Sequence, residues 1–225
     1  PNTLRIAHRV SRIAPILLFI LPLLFFWRLY APNPLDRLSL PAGDLPAQYF
    51  PLRAFAAREI ADGRLPLWNP HIYGGQPGLA DSQVAALYPV NLLTAIALGL
   101  LKRPFTFGIF QAQIVFHFWL ALWFTVLFAR RVLGNRFAAS VAAIAFTFGG
   151  YLTSFPVQQP TILETAVWLP LILLLLDDAA KQTAFLPRAW RLACAGGAMA
   201  LAILAGHPQT AIYVFYMAAA YWIFL

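Results

Sequence analysis

The sequence predicts an all-α, polytopic membrane protein with about six transmembrane helices and a long polar loop after the first of them. Hydrophobic residues make up 61% of the 225 residues and charged residues only 11%, whereas ordinary soluble domains carry about 25% charged residues. Apolar segments recur along the chain, and several approach the roughly 20 residues that a transmembrane helix needs. Between them, residues 31–83 hold five of the eight acidic residues. Most of the polar chemistry is therefore concentrated in one loop.

Six apolar segments are predicted to span the membrane: residues 13–30, 105–128, 137–155, 162–176, 192–205 and 210–225. Pro15 and Pro22 lie in the first segment, and a membrane helix tolerates proline where neighbouring helices satisfy the freed carbonyls. The chain begins at Pro1 and ends within the last apolar segment. We therefore expect a single transmembrane domain, residues 1–225, that is the N-terminal piece of a longer protein.

Residues 84–101 decide the orientation, because they are apolar but interrupted near their start by Pro89. If they do not cross the membrane, nine cations fall in cytoplasmic loops: Arg5, Arg9, Arg12, Arg130, Arg131, Arg136, Lys181, Arg188 and Arg191. Cytoplasmic loops are enriched in Lys and Arg, so we expect residues 84–101 to form an interfacial or re-entrant helix, with Lys102 and Arg103 at the outer headgroups. The N-terminus is then cytoplasmic, and residues 31–104 form the first extracytoplasmic loop. The net charge of +8 follows this placement and does not indicate nucleic-acid binding.

The same orientation brings to the outer side a set of polar residues that were not used to derive it: Asp44, His71, Asp81, Gln158, Gln159, Glu164, His207 and Gln209. Their convergence predicts one polar site near the outer leaflet. Within the loop, Leu52, Phe55 and Ile60 recur at helical spacing and predict an amphipathic interfacial helix. Gly63 suits the C-terminal cap of this helix.

Several short motifs, in this order, resemble the YfhO family of bacterial membrane proteins: DLPAQ at residues 44–48, GRLPLWNP at 63–70, GGQP at 74–77, LYPVNLL at 87–93 and GHPQ at 206–209. That family is similar to the GT-C class of glycosyltransferases, which are multi-spanning enzymes that use polyprenyl-phosphate sugars on the non-cytoplasmic side. The resemblance implies a GT-C-like fold in the bacterial inner membrane and transfer of a sugar to a cell-envelope acceptor, whether polymer, glycan or lipid. The first outer loop of these enzymes carries an essential acid, and by position the match is Asp44.

The implied reaction needs few protein groups. Phosphate is a good leaving group, so a single displacement requires one base to take the acceptor's hydroxyl proton, whereas a glycoside hydrolase normally needs two carboxylates. The leaving phosphate needs positive charge, and the cationic candidates on the outer side are Arg53, Arg58, Arg64, Lys102, Arg103, His71 and His207. The donor phosphate is expected at His207, Gln209, Arg58, Arg103 and His71.

The acidic candidates also have structural explanations. Asp44 and Asp81 would both serve as helix N-caps. Otherwise Asp81, Gln48 and Gln76 are expected to support Asp44 or bind the acceptor. Glu164 stands at the membrane boundary, where an acid is a functional candidate for the acceptor or a metal, although it would also complement a helix dipole.

The histidines divide in the same way. His71 could simply be a polar residue at the membrane interface. His207 could belong to a structural turn, or it could line a cavity at a helix break. His117 lies in the middle of a predicted span, where a helix–helix hydrogen bond is the expected role. No cofactor is indicated; Asp44, Asp81 and Glu164 offer oxygen atoms of the kind that bind a divalent cation, but no ligand spacing requires a metal.

Two other functions fit a polytopic protein. A transporter or flippase of lipid-linked glycans would carry polar residues near the bilayer midplane, where this sequence has mainly Gln113 and His117. A non-catalytic assembly protein would tolerate the loss of any single polar side chain of the loop. The concentration of polar residues at one membrane boundary favours the enzyme.

Overall fold

The structure is a computed structural model that describes residues 18–40 and 43–225. Over these ranges the chain is mostly helical and has almost no strand, which confirms the all-α class. The α-helices are residues 18–25 (α1), Phe50–Ala61 (α2), Pro89–Leu100 (α3), Phe107–Leu133 (α4), Arg136–Phe148 (α5), Gly150–Thr153 (α6), Phe155–Gln158 (α7), Pro160–Ala166 (α8), Leu169–Ala180 (α9), Phe185–Leu204 (α10) and Pro208–Phe224 (α11).

Shorter elements connect these helices. A π-helix, Leu45–Tyr49, leads directly into α2, and three 3₁₀ turns occupy Trp27–Leu29, Pro34–Asp36 and Ser82–Val84. Within the described part of the chain, strand is confined to β1, Trp68–Asn69, and β2, Gln76–Pro77, which pair antiparallel with Asn69 opposite Gln76.

Helix α4 is the one described helix that is long and apolar enough to cross a membrane. Its 27 residues give a length of about 40 Å at 1.5 Å per residue. The apolar helix α3 has 12 residues and measures about 18 Å, less than the roughly 30 Å of a hydrocarbon core. The other predicted spans remain predictions, and the first of them begins at residues 13–17, outside the described residues.

Two of the predicted spans are divided between helices because of the backbone. Residues 137–155 cover α5 and α6, which are separated at Gly149. Residues 162–176 cover α8 and α9, and Pro170 stands in the first turn of α9, a position that proline favours because its missing N–H has no helical partner there. A continuous apolar run in sequence therefore becomes two shorter helices.

The centre of the bundle is one face of α4. Phe110, Ile114, Phe118 and Leu122 repeat every four residues and are fully buried, as expected for side chains on one helix stripe. Helices α5, α8 and α9 pack around α4, and α10 and α11 pack against α8 and α9. This arrangement fixes the ends of the helices relative to one another.

Polar contacts mark the two ends of the bundle. Asp44 accepts a hydrogen bond from Gln159 at 3.2 Å, and we call this end the loop end. At the opposite end Arg131 forms an ion pair with Asp177 at 3.0 Å. Asp44 and Gln159 precede and follow residues 84–101 in sequence, and their contact places them at the same end of the bundle. That residues 84–101 do not cross the membrane stays a prediction.

Helix α2 matches the amphipathic helix predicted in the loop. Leu52 and Phe55 are buried while Arg58 is exposed. The helix ends beside Gly63, whose φ of +76° lets the amide of Arg64 return to the carbonyl of Glu59 at 2.9 Å, the pattern of a glycine C-cap.

Candidate functional site

The candidate base, Asp44, lies at the loop end with an exposed side chain. It starts an unbroken helical stretch, residues 44–61, but its side chain makes no capping hydrogen bond. The N-cap explanation for Asp44 is therefore wrong for this structure. One carboxylate oxygen accepts the hydrogen bond from Gln159, and the other has no hydrogen-bond partner among the described residues. The carboxylate keeps accepting capacity for a ligand.

Amide side chains surround this end of the chain. Gln48, one turn after Asp44, donates to the side chain of Gln83 at 2.6 Å. We call Asp44, Gln48, Gln83 and Gln159 the amide rim. Primary amides donate and accept hydrogen bonds at once, which suits the mixed donors and acceptors of a polyhydroxylated ligand.

Asp81 serves as a cap, as its structural explanation predicted. Its carboxylate accepts from the backbone N–H of Gln83 at 2.9 Å and begins the 3₁₀ turn Ser82–Val84. Because Gln83 also receives the side-chain hydrogen bond from Gln48, Asp81 fixes one member of the amide rim in place.

His207 is held next to that same turn. Gly206 has a φ of +92°, and a Cβ there would collide with the carbonyl oxygen of Ser82, so glycine allows the two segments to touch. His207 caps α11, since its Nδ1 accepts from the backbone N–H of Thr210 at 3.1 Å. This hydrogen bond assigns the ring proton to Nε2. Partial burial lowers the pKa of the His207 imidazole, so the neutral ring presents an N–H donor.

Gln209, the other donor-phosphate candidate in this segment, is exposed and donates to the hydroxyl of Tyr213 at 2.8 Å. Both groups lie on α11, one helical turn apart. The contact orients the amide along its own helix and brings in no residue from the amide rim.

Glu164 is fully buried, and Arg53 is its partner. Two guanidinium nitrogens of Arg53 donate to the two carboxylate oxygens at 2.6 and 2.5 Å, and Arg53 also donates to the side chain of Asn91 at 3.3 Å. Its guanidinium lies over the ring of Phe110 at 5.4 Å. This arrangement joins α2, α3, α4 and α8 and leaves no oxygen of Glu164 facing solvent.

The pairing of Arg53 was missed in the sequence, where Arg53 was one of the outer cations. The signal that could have found it is positional. Arg53 precedes Ala56 and Ala57 by three and four residues, and residues at this spacing are neighbours on one face of a helix. Both alanines are buried, as is Leu52, so Arg53 lies on the buried face of α2. A buried cation requires a buried acid, and Glu164 begins an apolar run.

His117 makes a buried hydrogen bond, but its partner is Tyr88, the residue that precedes α3, and not a residue within another helix as predicted. Its Nε2 lies 2.9 Å from the hydroxyl of Tyr88, and its Nδ1 lies 2.6 Å from the carbonyl of Gln113. Since that carbonyl can only accept, Nδ1 carries the proton and Tyr88 donates to Nε2. Trp168 in turn donates to the Tyr88 oxygen at 3.2 Å. Every group in this buried chain is satisfied, so it is structural.

A separate cavity of about 740 Å³ lies between α2, α3 and the β1–β2 loop. Its polar lining includes Arg58, His71, Lys102 and Arg103. We call this space the cationic cavity. Arg58 donates to Nε2 of His71 at 3.3 Å. Three predicted donor-phosphate residues therefore do meet, and Gln76 approaches them through its strand partner Asn69, which also lines the cavity.

The cationic cavity and the amide rim are distinct. Asp44 and Arg58 are 14 residues apart in one unbroken helical stretch, which corresponds to roughly 20 Å at 1.5 Å per residue. The predicted site thus divides into two groups. Asp44, Gln48, Asp81 and His207 belong to the loop end near Gln159, whereas Arg58, His71, Lys102 and Arg103 line the cationic cavity.

The predicted oxygen ligands do not form a cation site. Among the described residues there is no group of three or more His, Cys, Asp or Glu side chains suited to a metal ion. Glu164 gives both oxygens to Arg53, and Asp81 caps the turn at Gln83. The three acids considered for a divalent cation therefore do not fit one.

Comparison of the chain with protein-family models, curated proteins and solved structures finds no match. Membership of the YfhO family, and similarity to the GT-C class, stay predictions that rest on the motifs.

Proposed function

We propose that this chain is part of a multi-spanning membrane glycosyltransferase. It transfers a sugar from a polyprenyl-phosphate donor to a cell-envelope acceptor at the extracytoplasmic edge of the bacterial inner membrane. The observation that carries the proposal is the state of Asp44. Its carboxylate is exposed, caps no helix, forms no ion pair with any described residue and lies among amide side chains.

The membrane setting is supported by apolar surface as well as by α4. Helix α11 exposes Ile212, Phe215 and Met217, and α10 exposes Ile203. Soluble monomers rarely expose contiguous apolar patches of more than a few hundred Å², whereas lipid covers such surfaces. Most of the bundle is consequently proposed to face hydrocarbon, with the loop end at the headgroups.

The proposed reaction is a single displacement at the anomeric carbon. The acceptor oxygen forms the new glycosidic bond as the bond between the anomeric carbon and the phosphate oxygen breaks. The phosphate leaves with the electron pair of that bond, and Asp44 takes the hydroxyl proton. A carboxylate is a weak base towards an alcohol, so the proton moves only as bond formation makes the hydroxyl acidic. One carboxylate suffices.

The distance from Asp44 excludes some of the residues that were predicted to bind the donor phosphate. A phosphate bonded to the reacting carbon must lie close to the base. Arg58 is roughly 20 Å along the helical stretch from Asp44 and is too far away to bind that phosphate, and His71 and Arg103 line the same cavity as Arg58. His207 remains, because Gly206 packs against the turn that holds Gln83. Its Nε2–H is assigned the contact to a phosphate oxygen.

The test of this function is Asp44→Asn in the full-length protein, reconstituted in liposomes with a polyprenyl-phosphate sugar and an acceptor. Removal of a general base typically costs 10²–10⁴-fold in rate, so we expect kcat to fall by about 100-fold or more with KM little changed. Asp36→Asn is the matched control, since Asp36 is another exposed acid of the same loop. Transfer at the wild-type rate by a stably inserted Asp44→Asn variant would exclude Asp44 as the base.

A further inference from the structure

The cationic cavity has no role in the proposed transfer, yet it carries a concentrated positive charge. Arg58, Lys102 and Arg103 line it together. All eight acids of the chain lie in the described residues, and none forms an ion pair with these three cations. Asp62 also lines the cavity, but its carboxylate is bound to Arg64 at 2.8 Å. The three cations of the cavity therefore have no ion-pair partner among the acids of the chain.

The backbone turns to place two of these cations. Lys102 has a φ of +51°, in the left-handed region where a helix C-terminus usually has glycine. The amide of Arg103 returns to the carbonyl of Leu98 at 2.9 Å, which closes the end of α3. A lysine whose backbone is held in the left-handed region, at a site lined by like charges, points to use of its side chain.

Apart from Asn69, the remaining lining is apolar. Pro51, Phe55, Leu98 and Phe105 form walls of the cavity. Next to it, α3 exposes a stripe of Leu93, Ile96 and Leu100, spaced three, four and seven residues as on one helix face. This stripe ends just before Lys102 and Arg103. The cavity thus joins a cationic pocket to an apolar surface, the pattern of a helix that lies in the membrane interface.

We propose that the cationic cavity binds the phosphate of a membrane lipid. Arg58, Lys102 and Arg103 hold the phosphate oxygens, and the stripe on α3 lies against the acyl chains. His71 accepts from Arg58 and so orients its guanidinium. The volume of about 740 Å³ falls in the range of small-ligand sites. The inference rests on the membrane placement proposed above but not on the transfer reaction.

The experiment measures binding of phosphatidylglycerol and phosphatidylcholine to the full-length protein in detergent, by titration in native mass spectrometry. The variants are Lys102→Gln/Arg103→Gln and Arg58→Gln. The control is Arg130→Gln/Arg136→Gln, which removes two exposed cations near the opposite end of the bundle. Each basic residue near an anionic lipid contributes roughly fivefold in affinity. We therefore expect phosphatidylglycerol affinity to fall about 30-fold in the Lys102/Arg103 variant, about fivefold in Arg58→Gln and less than twofold in the control.

Three outcomes would overturn the inference: unchanged phosphatidylglycerol binding in Lys102→Gln/Arg103→Gln, an equal loss in the control, or equal affinity for phosphatidylcholine in the unmodified protein. Inorganic phosphate is the third probe. Displacement of the lipid by millimolar inorganic phosphate would show that the cavity binds a free anion, which would contradict the assignment of a lipid. Asp44→Asn is expected to bind phosphatidylglycerol like the unmodified protein, so failure of the transfer reaction and failure of this site are separate results.

Discussion

Arg53 and Glu164 form the most strongly constrained pair of side chains described. They are 111 residues apart in sequence and make two charged hydrogen bonds with almost no exposed surface. The Nε atom of Arg53 is buried without a partner among the described residues. Because two charges have been removed from solvent, the pair contributes less net stability than its geometry suggests, while the loss of one partner is costly.

We predict that Glu164→Gln and Arg53→Met each lower the free energy of unfolding by about 3–5 kcal/mol, since each leaves a buried charge unpaired. The double variant Arg53→Met/Glu164→Gln is expected to be more stable than either single variant, because no buried charge is left unpaired. Denaturant unfolding in detergent micelles measures all three. Arg64→Met is the control, because its ion pairs with Glu59 and Asp62 are exposed, and it should have a much smaller effect. Additive losses in the double variant would contradict the coupling.

At the scale of elements, an ion-pair cluster joins α4 to α9 at the end opposite Asp44. Arg131 on α4 contacts Asp177 at 3.0 Å and Asp178 at 3.2 Å, and Lys181 contacts Asp177 at 2.5 Å. Burial on its own would raise the pKa of Asp177, but the hydrogen bonds from Lys181 and Arg131 outweigh it and lower that pKa below its ordinary value. The ionised form is therefore favoured in the folded state.

This shift predicts a sign for the pH dependence of stability. A folded-state pKa below the unfolded one gives stability that is present above about pH 4 and lost as the pH falls through the folded pKa. Asp177→Asn should therefore cost ~1 kcal/mol at pH 7, since both cations are partly exposed, and the difference from the unmodified protein should shrink below pH 4. Thermal unfolding from pH 7 to pH 3 measures it, with Asp36→Asn as the control. A difference that is constant with pH would refute the assignment.

At the scale of the whole molecule, the sequence was most informative where the signal is local. The spacing of Leu52, Phe55 and Ile60 predicted α2, and Gly63 was predicted at its cap. The charge bias of the loops predicted that residues 84–101 do not cross the membrane, and that orientation stays a prediction. Contacts between residues far apart in sequence could not be predicted, because no local sequence pattern shows that Arg53 contacts Glu164.

The candidate site shows the same limit. Residues predicted on one side of the membrane do share an end, yet a continuous helix sets Asp44 and Arg58 roughly 20 Å apart. The positions on α2 were readable from the sequence, but the unbroken join of the π-helix Leu45–Tyr49 to α2 was not. The sequence therefore predicted that Asp44 and Gln159 share one end of the bundle, but it did not predict which residues form one site.

The final prediction concerns topology, on which the proposed transfer site and the proposed lipid site both depend. Tyr73 lies in the loop between α2 and α3, and Thr183 follows α9, past the Arg131–Asp177 ion pair; both are exposed. With Cys194 replaced by Ala, Tyr73→Cys and Thr183→Cys should differ in reaction with a membrane-impermeant maleimide added to intact cells. Tyr73→Cys is expected to react and Thr183→Cys is not, because an odd number of predicted crossings separates the two positions. Both should react equally after permeabilisation, which controls for intrinsic reactivity. Equal labelling in intact cells would place both ends of the bundle on one side of the membrane, and neither the extracytoplasmic base nor the headgroup site would survive that result.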